Sequence, residues 1–166
     1  ASKCEFLTLC SAKKVTDVIV YYTGHGTFTE RDHRYCLLVQ SSKVGHLEKT
    51  GYHMATLSTT LSNNLPGARQ FVIIDACFSG AASSDFIPLS DVGTQVFRNL
   101  PRTGSALLCA ASSAKVALTT LNGRYTMFSE GLLHALELGS ADRATLSFRE
   151  IKELAWTYIQ DTYGLK

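Results

Sequence analysis

The stretch that decides the fold is FVIIDACFSG, at residues 71–80. It opens with a short apolar run, rich in β-branched side chains, that follows the turn-forming residues Pro66 and Gly67. An uninterrupted run of this kind is typical of a strand buried on both faces, as in a parallel sheet covered by helices. Asp75 and Cys77 close the run, and in an extended chain their two-residue spacing puts both side chains on the same side. We therefore expect Cys77 at the carboxyl end of a central strand, the edge of an α/β sheet where ligands bind.

Apolar runs and helical patterns alternate along the rest of the chain. Met54, Leu57 and Leu61 recur at steps of three and four residues, which predicts an amphipathic helix that Pro66 and Gly67 terminate. Strands are predicted at residues 15–22, 35–40, 71–75 and 106–111, and helices at residues 54–65, 128–136 and, after a capping box at 147–150, near the end of the chain. Strands that alternate with helices predict an α/β fold, here with a mostly parallel central sheet flanked by helices.

Length and composition fit one globular domain and argue against several classes of function. The 166 residues are 45% hydrophobic and 18% charged, which is typical of a folded domain rather than a disordered chain. A net charge of +2, without a block of Lys and Arg, argues against nucleic acid as a partner. No apolar run approaches the roughly 20 residues that span a membrane, so we expect no membrane partner.

The five cysteines do not form a recognisable disulfide or metal pattern. None belongs to a C-x-x-C pair or to the Cys/His spacing of a zinc site, so we expect no metal and no other cofactor. A disulfide framework is not expected in a domain with a core of this size, which favours a reducing compartment and hence the cytoplasm. Cys36 and Cys109 lie within apolar runs, as buried cysteines commonly do. Cys77 instead follows a carboxylate at the end of its run, which argues for a chemical role.

A histidine at the end of another predicted strand is the natural partner of Cys77. His25 lies between Gly24 and Gly26, just after the strand predicted at residues 15–22. If the two strands are parallel neighbours, His25 and Cys77 reach the same edge of the sheet. A thiol with a pKa of about 8.5 is mostly protonated at neutral pH, and a nearby imidazole can remove its proton or stabilise the thiolate. A histidine in a glycine turn is usually only a solvated turn residue, so the prediction depends on both strand ends together.

The two strand ends resemble the motifs of caspase-like cysteine peptidases of clan CD. YTGHG, at residues 22–26, resembles the histidine motif of that family, and DACFSG, at residues 75–80, resembles the D-x-C-x-S-G nucleophile motif of metacaspases, paracaspases and bacterial relatives. His25 and Cys77 are 52 positions apart, close to the roughly 50 expected in caspase-type dyads. The resemblance covers most of the chain and implies a caspase-like fold, a three-layer sandwich.

The resemblance implies a role for each residue that matches the motifs. His25 is the general base and acid, Cys77 is the nucleophile, and the backbone amides of Gly26 and Cys77 form the oxyanion hole. Asp75 matches the carboxylate that lines the S1 pocket, which implies Arg or Lys at P1, whereas caspases specific for aspartate have Gln there. Arg is preferred because a guanidinium can pair with a carboxylate through two hydrogen bonds. Ser112 lies in a segment similar to the later substrate loop and is a further S1 candidate.

The chain departs from the family pattern in two places. The loop at residues 116–119 has none of the acidic residues that many basic-specific relatives carry there, so Asp32, in the histidine loop, is the candidate for a second S1 carboxylate. Only 14 residues precede the strand predicted at residues 15–22, whereas the family domain begins with further elements. We therefore expect residues 1–166 to be a processed or partial caspase-like domain, whose missing N-terminal segment is removed, is disordered or belongs to a partner chain.

The implied function is a cysteine endopeptidase that cleaves protein or peptide substrates after a basic residue. The resemblance also suggests a part in programmed cell death or in bacterial defence. Arg98 and Arg102 lie in the long polar segment at residues 79–104, so autoprocessing there is a further hypothesis. The alternative is a catalytically silent caspase-like module for interaction or regulation. A pure scaffold has no need of both His25 and Cys77, which favours the peptidase.

Overall fold

The computed structural model shows one mixed sheet with helices on both faces. It describes residues 8, 10, 13–78, 98, 100, 104–110, 120, 123–142 and 144–164, with the backbone alone at 77 and 78. The strands are β1 (Asp17–Phe28), β2 (Tyr35–Leu37), β3 (Tyr52–His53), β4 (Arg69–Phe78) and β5 (Ser105–Cys109). The helices are α1 (Leu47–Thr50), α2 (Met54–Asn64), α3 (Met127–Leu138) and α4 (Phe148–Tyr163).

The long strand pairings of the sheet are parallel. The strand order is β3-β2-β1-β4-β5. β1 and β4 run in parallel from Asp17 opposite Arg69 to Gly26 opposite Phe78, and β5 continues the parallel pairing on the far side of β4. β2 pairs antiparallel with both β1 and β3 over a few residues. The predicted mostly parallel sheet is therefore confirmed, with a short antiparallel side.

Alternation along β4 gives the sheet two separate cores, because successive side chains of a strand point to opposite faces. Val72 and Ile74 pack in one core with Leu57 and Leu61 of α2. Ile73 packs in the other core with apolar residues of β5, α3 and α4, namely Leu108, Leu132, Ala135, Ile151 and Ala155. The sheet is thus the middle of three layers, consistent with the predicted caspase-like architecture.

Two strands extend further than the sequence predicts. The apolar pattern predicts that β1 ends at Tyr22 and β4 at Asp75, and both predictions are wrong because the strands stay paired for several more residues. Gly26 is paired with β4 on one side and with β2 on the other, which keeps the chain extended there. His25 therefore lies inside a strand rather than in a turn that follows it.

The helices form where the sequence predicts them. α2 ends at Asn64, just before Pro66. The capping box starts α4: the Ser147 amide donates to the Glu150 carboxylate at 2.8 Å, and the Ser147 hydroxyl accepts from the Glu150 amide at 3.3 Å. The strand predicted at residues 35–40 has only three residues, and α1 and β3 are too short to produce a hydrophobic period that could be recognised.

Candidate active site

The backbone of the sheet aligns the two predicted catalytic residues. In the parallel ladder between β1 and β4, His25 is directly opposite Cys77. Both residues lie near the carboxyl ends of neighbouring strands, where parallel sheets place their ligand sites. The side chain of Cys77 lies outside the described part of the structure.

The backbone of His25 is held by two hydrogen bonds. Its carbonyl oxygen accepts one from the Leu38 amide and one from the Tyr22 hydroxyl, each at 2.8 Å. The same Tyr22 oxygen lies 2.6 Å from the carbonyl oxygen of Leu38. These contacts tie the end of β1 to the segment after β2 and leave the His25 side chain exposed to solvent.

The positions on either side of His25 leave no room for a side chain. A Cβ atom at Gly24, whose φ is +157°, would lie 2.7 Å from the hydroxyl oxygen of Tyr22. A Cβ atom at Gly26 would collide with the ring and hydroxyl of Tyr35. The backbone on both sides of the imidazole can therefore lie close to two tyrosine rings only because side chains are absent there.

Asp75 is buried, and its two carboxylate oxygens have different surroundings. The side chain is 1% exposed. Its Oδ2 atom accepts hydrogen bonds from the hydroxyls of Thr126 and Ser129, and the Tyr21 hydroxyl lies 3.5 Å away. Its Oδ1 atom is equally buried and has no hydrogen-bond partner within the described structure. We call Tyr21, Thr126 and Ser129 the hydroxyl cluster.

The protons of the hydroxyl cluster can be assigned consistently, because each hydroxyl has one to donate. Thr126 is the N-cap of α3: it accepts from the Ser129 amide at 3.0 Å, so its proton is available for Asp75. Ser129 also donates to Asp75, which leaves its oxygen free to accept from the Tyr21 hydroxyl at 2.5 Å. Oδ2 thus accepts two hydrogen bonds, which fills its two lone-pair sites. Oδ1 is then the oxygen of this carboxylate that has no partner in the described structure.

Tyr21 is able to act as a donor in this cluster. Burial raises the pKa of Tyr21 above its ordinary value, and the nearby negative charge of Asp75 raises it further, against an opposing hydrogen bond with Ser129. The hydroxyl is therefore protonated at neutral pH. Although this hydroxyl is partly buried, the Tyr21 residue as a whole is 45% exposed.

Asp32 has local partners in the connection between β1 and β2. Its carboxylate accepts from the Thr29 hydroxyl and forms an exposed ion pair with Arg34. The hydrogen bond from Thr29, followed by those from Arg34, keeps the pKa of Asp32 below its usual value. Its S1 role stays a prediction, and Ser112 lies outside the described residues.

The thiols of Cys36 and Cys109 are suited to packing rather than to chemistry. Cys36 is fully buried, and burial raises its pKa. Burial also raises the pKa of Cys109, to about 12. In the described part of the chain, His, Cys, Asp and Glu side chains form no group of three that could hold a metal ion.

Sequence reasoning missed the hydroxyl cluster. Thr126 and Ser129 follow Asp75 by more than 50 positions. A Thr three residues before a Ser at the start of an apolar helix pattern indicates an N-cap, and that local role is present here. The pattern contains no signal for a distant carboxylate, so only the tertiary structure reveals the contact.

The comparisons with known proteins place this site within a family. The sequence matches the family model for the caspase domain over residues 6–154. No curated protein and no solved structure matched the chain. The matched range contains β1, β4, α3 and therefore each described residue of the candidate site. Every helix in the described ranges is too short or too polar to cross a membrane.

Proposed function

This chain belongs to the caspase domain family, and on that premise we propose that it is an endopeptidase that cleaves after a basic residue, Arg in preference to Lys. The family is one of cysteine peptidases, and proteins are the general class of substrate. The proposal assigns the nucleophile to Cys77 and the general base to His25. The observation that carries it is the register of β1 and β4, which sets these two residues directly opposite each other.

The proposed reaction follows the usual course of thiol acyl transfer. His25 accepts the proton of the Cys77 thiol, and the thiolate attacks the carbonyl carbon of the scissile bond. The resulting oxyanion accepts hydrogen bonds from the backbone amides of Gly26 and Cys77. The C–N bond then breaks, His25 gives its proton to the leaving amine, and a thioester remains. Water attacks the thioester with His25 as general base and regenerates Cys77.

The proposed P1 preference rests on the buried acceptor of Asp75. Oδ1 is a negatively charged oxygen without a partner in the described structure, and leaving a buried carboxylate oxygen unpaired is costly. A cationic P1 side chain supplies the missing donor. Arg is favoured over Lys because a guanidinium is less strongly hydrated than an ammonium and loses less on entering a buried slot. Asp32 and Ser112 are proposed as additional S1 residues.

Hydrolysis of fluorogenic peptides that differ only at P1 tests the proposal. We expect cleavage after Arg and, more slowly, after Lys, with no cleavage after Asp or Leu and no activity in the Cys77→Ala variant. Cleavage after Asp or Leu would keep the peptidase but contradict the role of Asp75. Activity that persists in Cys77→Ala would contradict the dyad.

The alternative proposal is a catalytically silent module. Covalent labelling of Cys77 distinguishes it from a peptidase. An electrophilic peptide ketone with Arg at P1 should modify Cys77 alone under native conditions, because His25 activates that thiol and Asp75 recruits the reagent. A peptide with Leu in place of Arg is the matched control. Absence of modification by either reagent would favour the silent module.

The subtype and location belong to the same proposal. We assign the chain to the metacaspases, paracaspases and bacterial caspase-like peptidases because residues 75–80 retain the D-x-C-x-S-G pattern. The free thiols of Cys36, which is buried, and of Cys109, which is partly buried, fit a reducing compartment, which supports the cytoplasm. Fractionation of cells that produce the protein would test this, and recovery in an oxidising compartment would contradict it.

A further inference from the structure

The hydroxyl cluster converges on one oxygen of Asp75 from outside its strand. Tyr21 comes from β1, and Thr126 and Ser129 come from the first turn of α3 and its N-cap. Their hydroxyls are joined to one another as well as to the carboxylate, with Thr126 Oγ1 and Ser129 Oγ 2.9 Å apart. The carboxylate is thus fixed by two separate elements of the fold.

We propose that Tyr21, Thr126 and Ser129 are positioning residues that hold Asp75 with Oδ1 turned to the substrate, and thereby set the preference for a charged P1 side chain. This inference rests on the proposed function, in which Asp75 binds P1. None of the three touches the reacting atoms in this scheme. They act through the carboxylate that they orient.

The geometry supports orientation because it distinguishes the two oxygens. A partial rotation of the carboxylate about its Cβ–Cγ bond would break the hydrogen bonds from Thr126 and Ser129, whereas a half-turn would only exchange two equivalent oxygens. The hydroxyls therefore fix the plane of the carboxylate and the position of its second oxygen. Oδ1 is left as the buried acceptor that a ligand cation can satisfy.

The position of α3 adds to the same effect. Thr126 and Ser129 are the N-cap and the third residue of this helix, so Asp75 lies beside its N-terminus. Negative charge is favoured near a helix N-terminus, where the amides of the first turn point outward. The charge on Asp75 is therefore supported by the helix while its free oxygen remains available to substrate.

A purely structural role is the competing explanation. Hydroxyls beside a buried carboxylate also lower the cost of burying it, whatever binds to the other oxygen. That explanation predicts an effect of the cluster on stability alone. If the cluster instead orients the carboxylate, its loss should change the discrimination between charged and neutral P1 side chains. A change in stability alone would leave that discrimination unaltered.

The test compares two peptides with either Arg or citrulline at P1, which have nearly the same shape but differ in charge. Thr126→Val and Ser129→Ala remove one hydroxyl each, and Thr126→Ser retains the hydroxyl. Ser147→Ala is the control for loss of a helix cap, because Ser147 caps α4 with Glu150 as its partner rather than Asp75. kcat and KM are measured separately for both peptides.

We expect each loss of a hydroxyl to lower kcat/KM for the Arg peptide by about tenfold or more, since hydrogen bonds to charged groups are among the stronger ones. The change should lie mainly in KM and should be much smaller for citrulline. Thr126→Ser should restore the discrimination, and Ser147→Ala should leave it at the wild-type ratio. Alkylation of Cys77 by iodoacetamide, which has no P1 group, should keep its rate in every variant.

Tyr21→Phe keeps the inference testable if the buried variants do not fold, because Tyr21 is half exposed. It should lower the ratio of Arg to citrulline activity by about threefold, as expected for one hydrogen bond lost at a distance from the ligand. An unchanged ratio in Tyr21→Phe and in every folded variant would overturn the inference. If the wild-type enzyme discriminates in that experiment, the proposed function still stands.

Two further results would be decisive. Equal losses for both peptides and for alkylation would assign the cluster to structure alone and overturn the inference. A wild-type enzyme that cleaves Arg and citrulline peptides equally well would overturn the S1 role of Asp75, and the inference with it.

Discussion

Between Val72 and Ala76 one face of β4 is apolar, whereas the other face changes from apolar at Ile73 to polar at Asp75. Val72, Ile74 and Ala76 are all at most 1% exposed and pack on the α2 side of the sheet. On the opposite side, Ile73 belongs to the core with α3 and α4, and Asp75 meets the hydroxyl cluster two residues later. The same strand therefore packs in the core through one set of side chains and carries the proposed S1 carboxylate on the other.

The difference shows how a carboxylate can be buried at the end of a strand. An unpaired buried carboxylate costs several kcal/mol, so such a group tends to take up a proton or to destabilise the fold around it. Here the apolar side chains hold the strand in place on one side, while the hydroxyls of Thr126 and Ser129 donate to Oδ2 on the other, and Tyr21 donates to Ser129. In the proposed function the residues of β4 that take part in the reaction lie on the polar face, so substitutions on the two faces should separate activity from stability.

The largest expected effect on activity is the loss of the dyad. Cys77→Ala and His25→Ala should each reduce kcat/KM on the Arg peptide by at least about 10⁴-fold, as removal of a nucleophile or its base does in enzymes of this type. Denaturant unfolding of the same variants should give nearly the wild-type free energy, because His25 is exposed and the change from Cys to Ala removes a single sulfur atom. Residual activity within tenfold of wild type in either variant would contradict the dyad.

The apolar face should show the reverse behaviour. Ile74→Ala should lower the free energy of unfolding by about 3 kcal/mol, because it leaves a cavity in a closely packed core. Ile19→Ala is the matched control, since Ile19 lies on β1 and is 68% exposed, and it should change stability by less than about 0.5 kcal/mol. Equal effects of the two substitutions would show that the assigned faces are wrong.

Asp75→Asn tests the polar face with a change that is nearly isosteric. It should cost about 2–5 kcal/mol of transition-state stabilisation on Arg substrates, because it removes one partner of a buried charge pair. Asp17→Asn is the control: Asp17 lies on neighbouring β1, and its ion pair with Arg69 is exposed. Unchanged Arg cleavage in Asp75→Asn would refute the S1 assignment.

The sequence predicts β4 and its two chemical residues because a continuous apolar run and a following carboxylate are local patterns. The ends of β1 and β4 are not predicted correctly, since glycine suggests a turn and only the strands on either side of Gly26 show that the chain stays extended. The partners of Asp75 are harder still. The start of a helix fully explains why Thr126 and Ser129 occur where they do in the sequence. Their contact with Asp75 depends on how α3 packs against the sheet.

The smallest expected effect concerns the thiol on the apolar face. Cys109 lies opposite Ile74 in the ladder between β4 and β5 and packs on the α2 side. Burial raises its pKa from 9.0 to about 12 in the folded protein. Above pH 9 the unfolded chain loses this proton while the folded chain keeps it, so stability should fall as pH rises from 9 towards 12.

The contribution of Cys109 to this loss should be about 2 kcal/mol between pH 9 and pH 11. Tyr21, Tyr22 and Tyr163 also have raised pKa values and add to the total, so the informative quantity is the difference between wild type and Cys109→Ala across the pH series. That variant should have a shallower decline, although it is less stable at pH 7 because of the lost packing. Identical slopes would mean that Cys109 ionises as easily in the folded protein as in the unfolded one. The contrast between an inert thiol at Cys109 and the proposed nucleophile Cys77 would then lose its physical basis.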